Sequence, residues 1–163
     1  MERSEKSFLE RLADAVPGLS GYRAREDRRT TDKRLRDYLA GRLDRVRDRL
    51  DAVKLDLTNK GNLGALNDLG LVGRKLQTAT ETLRFASYGY SGMFDQMKIK
   101  ENELDALYAH DLKLLDSVDA VEAAIGAPDP APKAILSSID ALDELLADRK
   151  TLWDKPSHDE AGG

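Results

Sequence analysis

Phe85, Tyr88, Tyr90 and Phe94, interleaved with Gly89 and Gly92 in the stretch RFASYGYSGMFDQM, are four of only nine aromatic side chains in this 163-residue chain. Rings beside glycines can form the core of a partner-docking patch, or they can plug the end of a helical bundle while glycine lets the backbone reverse. The second reading is the favoured one, because Tyr90 continues the helical register of the residues before it. Ser91 within GYSG does not make a nucleophile elbow, which needs G-x-S-x-G between a strand and a helix. The two histidines, His110 and His158, do not follow a glutamate by three residues, since positions 107 and 155 are Leu107 and Lys155. The Glu-x-x-His pairs of carboxylate-bridged metal sites are therefore missing from the sequence. GALNDLGLVGRKL contains Gly73-Arg74-Lys75 without the G-x-x-x-x-G-K-[ST] spacing that cradles phosphate. The many acidic pairs read as solvated helix faces. The expectation is a non-enzyme with no catalytic, metal or cofactor residues.

The elements that must carry these residues are all helical. SFLERLADAVPG places Phe8, Leu9, Leu12, Ala13 and Val16 on one face of a short amphipathic helix, with Ser7 as N-cap and Pro17-Gly18 as the stop. This face, in particular Phe8, Leu9, Leu12 and Val16, is a candidate for packing on the bundle or for lying on a membrane surface. Leu35, Leu39, Leu43, Val46, Leu50, Val53 and Leu57 follow at spacings of four and three, a seam for a helix over about 25–58, with Gly41 as a possible bend. NKGN at 59–62 should end it with a left-handed glycine. Leu69, Val72, Leu76, Ala79, Leu83, Ala86 and Tyr90 make a second seam, for a helix over about 63–88, in which Gly70 and Gly73 could allow close approach.

Leu104, Leu107, Leu114, Val118, Val121 and Ile125 predict a third helix over about 101–125, with Glu101 and Glu103 at its positive end. GAPDPAP breaks the chain, and Ile135, Ile139, Leu142, Leu146 and Trp153 predict a fourth helix over about 132–153. Asp111 and Arg149 interrupt the third and fourth stripes and could meet as a register-fixing ion pair. The whole reads as all-α: an antiparallel four-helix bundle or pair of coiled-coil hairpins over 22–155. A short amphipathic helix and loop over 1–21 precedes it, and a disordered tail over 156–163 follows.

Composition narrows the function classes. Cysteine is absent, which removes disulfides and thiol chemistry. With no long apolar run and no signal peptide in this stretch, a cytoplasmic protein is expected, peripheral to the inner face of the membrane at most. Residues 21–60 carry thirteen Lys/Arg against eight Asp/Glu, and residues 101–163 carry five against fifteen. Acidic residues from Glu26 to Asp51 interrupt the basic helix, so pairing within the protein is expected rather than nucleic-acid binding. A protein partner or self-association is the expected partner class, with a membrane surface as the alternative.

FLERLADAVPGLSGYRARED, DKRLRDYLAGRLDRVRDRL, LRFASYGYSGMFD and ELDALYAHDLKLLD together resemble a family of small bacterial all-helical proteins with no assigned activity, over residues 8–125. The resemblance implies an association with SPFH or stomatin-like membrane scaffolds and transfers no site residue. A looser similarity links the short helix plus long hairpin to the phage-shock and ESCRT-III-like class. The proline-rich break and the near-neutral first helix depart from that class. The functional expectation is a non-enzymatic helical adaptor or assembly subunit; the alternative is a peripheral membrane scaffold or remodelling protein docking through the N-terminal helix.

Overall fold

The computed structural model describes residues 10–18, 28–85 and 101–154. Every regular element among them is a helix: α1 (Arg28–Asn59), α2 (Gly64–Phe85), α3 (Glu101–Ile125) and α4 (Pro132–Asp154), preceded by a short helical segment over residues 10–15. The all-α expectation holds, and the predicted boundaries agree with these to within three residues. None of the helices among the described residues is long and apolar enough to cross a membrane.

The seams explain why the helices associate. Leu35, Leu39, Leu43, Val46 and Leu50 of α1, Leu69 to Leu83 of α2, Leu114 to Ile125 of α3 and Ile135 to Leu146 of α4 form one buried core. Val53 and Leu57, the last two residues of the first seam, are only partly buried at its edge. Ala86 and Tyr90 lie outside the described residues, as do the side chains of Leu104, Leu107 and Trp153.

α1 packs on α2 and α3, and α4 packs on the same two helices. Within the first hairpin α1 and α2 run antiparallel: Arg84 pairs with Asp44, and Gly73 lies against Leu50 and Lys54. Between hairpins the direction differs from a fully antiparallel bundle. Arg42 of α1 meets Asp119 and Glu122 of α3, and seven residues further along α1 Arg49 meets Gly126, just past the end of α3. α1 and α3 are therefore parallel neighbours, and both hairpin loops lie at the same end.

The loop chemistry follows the sequence. Gly61 has φ of 76°, Asn62 N–H donates to Leu57 C=O at 2.9 Å, and Gly61 N–H donates to Thr58 C=O at 3.0 Å. That is a Schellman motif closing α1. Pro132 opens α4, where its missing N–H costs no hydrogen bond. The possible bend at Gly41 is not seen: α1 is helical through it, and a Cβ there would meet nothing within 4 Å. Nor does Gly73 mark an obligatory close approach, since a Cβ there would sit at 3.5 Å from Leu50 Cδ2, ordinary contact. Gly41→Ala should therefore raise stability by about 0.5–1 kcal/mol, through the lower entropy of the unfolded chain. Gly61→Ala should lower it by about 1–2 kcal/mol, because a Cβ disfavours the left-handed conformation. Urea denaturation of the two variants checks both signs.

Candidate docking groove

Among the four most closely packed helix pairs of the described residues, α1 and α3 pack least extensively, and open cavities lie along their boundary. Its geometry starts from Arg42. Three residues after Leu39 and one before Leu43, this residue sits beside the apolar seam and faces α3. Nε donates to Glu122 Oε1 at 2.8 Å, and Nη2 donates to Glu122 Oε2 at 2.6 Å and to Asp119 Oδ1 at 2.5 Å. The guanidinium also lies 5.8 Å from the centroid of the Tyr38 ring, within cation–π range. Asp119 and Glu122 can share one arginine because three residues apart on a helix is one face.

Electrostatics follow from that fork. Hydrogen bonding to Glu122 raises the Arg42 pKa above its ordinary value, against the opposing effect of burial. Arg42 in turn lowers the Glu122 carboxyl below the usual carboxylate range, with a smaller contribution from Arg45. A folded-state pKa below the unfolded one gives stability that is complete above the unfolded value and is lost as pH falls through the folded one. Acidification from neutral pH should therefore weaken the α1–α3 contact below the ordinary glutamate range. Arg42→Met should flatten that part of the stability–pH curve, measured by denaturation at a series of pH values.

The groove has two parts. The lower one, 370 Å³, is lined by Tyr38, Arg42, Arg45, Leu115, Asp119 and Glu122, with Ala15 of the N-terminal segment at its wall. The upper one, 590 Å³, lies between the end of α1 and the α3–α4 loop. It is lined by Ala52, Val53, Leu57, Ile125 and Pro128 together with charges of both signs, Arg49 and Lys60 with Asp56 and Asp129. Apolar side chains set among charges of both signs suit docking of an amphipathic segment.

The candidate residues named from sequence fall in different places. Leu12 and Val16 are buried in the core, at 2 % and 1 % exposure, so a membrane could take that face only after the segment leaves the bundle. Phe8 and Leu9 lie outside the described residues, as do Tyr88, Tyr90 and Phe94. Phe85, the aromatic of that stretch which is described, is 59 % exposed. Phe85 is the last residue of α2, two positions after Leu83, where the buried part of that seam ends, and the remainder of the predicted corner lies outside the described residues. Asp111 is buried, whereas the side chain of its suggested partner Arg149 lies outside the described residues.

Residues that the sequence reading did not single out do more. Arg36, 3 % exposed, donates from Nη1 to the carbonyls of Leu83 at 2.8 Å and Arg84 at 3.4 Å, capping the end of α2. Arg42, Asp119 and Glu122 left no separate signal, because charged residues flanking an apolar seam look alike whether they are paired or solvated.

Comparison with protein-family models, with curated proteins and with solved structures finds no match.

Proposed function

We propose that this chain is a non-enzymatic helical adaptor or assembly subunit whose docking surface is the α1–α3 groove. The observation that carries the reading is the 590 Å³ upper groove, where Ala52, Val53, Leu57 and Pro128 lie among charges of both signs between the end of α1 and the α3–α4 loop. A partner helix would place apolar residues at i, i+3 and i+4 on Val53 and Leu57 and set charges of both signs against Arg49, Lys60, Asp56 and Asp129. The charge division along the chain fits a role for α1 and α3 as a matched pair, with ten Lys/Arg against six Asp/Glu in α1 and one against seven in α3.

A photo-crosslinking residue in place of exposed Ala52 tests the reading in the native host. A covalent adduct with one defined protein, or with a second copy, is expected at Ala52. No such adduct is expected at exposed Ala141 on α4. Equal labelling at the two positions, together with a monomer at every concentration in light scattering, would remove the groove as a docking surface.

A further inference from the structure

We propose that the occupant of the upper groove is a second copy of this chain, bound about a two-fold axis; this rests on the groove being a docking surface. Charge points to this occupant. Arg49, Lys60, Asp56 and Asp129 are the ionic side chains that line the groove. Lys60 and Asp56 are paired with each other at 2.9 Å. Arg49 and Asp129 are not so placed: among the described residues neither makes an ion pair within 4 Å, with each other or with any other side chain. Both are exposed. One unpaired positive and one unpaired negative charge therefore stand in a single groove, Arg49 on the α1 side and Asp129 on the α3–α4 loop.

A partner carrying one sign of charge would satisfy one of these two residues and repel the other. A second copy satisfies both, because a two-fold axis makes every contact reciprocal: where residue i of one protomer meets j of the other, j also meets i. Arg49 of one protomer then faces Asp129 of the other, twice over. Shape agrees with charge. A patch that docks on itself has to hold both a projection and a recess. Leu63, 64 % exposed, stands in the α1–α2 loop next to Asn62, a residue of the groove wall. The recess is lined by half-buried Val53 and Leu57 with Ala52 and Pro128. Leu63 of each protomer enters the groove of the other, where its apolar side chain leaves water. Both hairpin loops lie at this end of the molecule, so the two copies meet through their loop ends.

Light scattering across a concentration series of the full chain tests the pairing. The mass should climb from 18.1 kDa toward twice that value, and added salt should move the climb to higher concentration. Arg49→Asp and Asp129→Arg each set like charges opposite one another at both reciprocal contacts, so each should raise the dissociation constant about tenfold. Mixed in equal amounts, the two variants should associate as the wild type does, because in the mixed pair both contacts again join opposite charges. Leu63→Asp gives an arm independent of that swap: at its exposed position it should weaken the dimer severalfold, and an unchanged dissociation constant would overturn the seat of Leu63 in the groove. A wild-type chain that stays monomeric at every concentration, single variants that associate like the wild type, or a mixture no more associated than its components would each overturn the second copy. The docking reading is scored separately, by the adduct at Ala52. A monomer whose Ala52 still captures a different, defined protein overturns the second copy and leaves docking standing, whereas a monomer with no selective adduct removes both.

Discussion

Leu39→Ala should lower the free energy of unfolding by about 2–5 kcal/mol, the cost of deleting most of a buried leucine side chain and leaving a cavity. Leu39 is fully buried on the face of α1 that joins the core, in the same stretch as Leu35 and Leu43. Its neighbours belong to a closely packed interior that relaxes only partly around a void. Leu55, on the same helix but 62 % exposed, serves as the control, and Leu55→Ala should change stability by no more than about 0.5 kcal/mol. Urea denaturation separates the two, with a shifted midpoint and an unchanged slope expected for Leu39→Ala. Equal effects at the two positions would mean that the apolar seam does not define the interior of α1.

Arg36→Met should cost about 1.5–3 kcal/mol, the range for hydrogen bonds made by a charged group. The last carbonyls of a helix have no partners within it, and they sit at the negative end of its dipole. Arg36 reaches from α1 to supply that partner for α2, at Leu83 and Arg84, from a position only 3 % exposed. Methionine keeps the apolar stem and loses the donors, so the loss reports the cap rather than packing. Arg36→Lys should fall between the two, because an ammonium keeps the charge without the planar fork. Hydrogen exchange adds the location: amides of the last turn of α2 should lose protection in Arg36→Met while those around Leu69 keep theirs. Uniform loss along α2 would assign Arg36 to global packing instead.

These two residues show the same helix serving two purposes. The apolar seam of α1 builds the core, and its arginines hold other helices: Arg36 the end of α2 and Arg42 the carboxylates of α3. Part of the charge division along the chain is thereby used inside the molecule. On the opposite side Lys75 of α2 pairs with Asp140 of α4, beside Asp143, whose carboxyl is pushed up by burial. Both contacts between the hairpins therefore carry a basic residue from the first and an acidic one from the second. Such pairs set which helices lie side by side and in which direction, since a reversed hairpin would leave Arg42 and Lys75 without these partners.

Among the described residues, the helices and the buried face of each were legible in the sequence by itself. Those properties depend on local chemistry: three- and four-residue spacing of apolar side chains, the left-handed glycine at 61, and proline at the start of α4. Only the tertiary structure decided that α1 and α3 run parallel, that Leu12 and Val16 join the core, and that Phe85 stays outside it. It also decided which charges meet, Arg36 with the end of α2 and Arg42 with Asp119 and Glu122. The physical reason is that an amphipathic stripe states how much surface a helix must bury but is nearly indifferent to which apolar surface covers it. Direction and neighbour are chosen by directional contacts between residues 77 and 80 positions apart, and no window along the chain contains both partners.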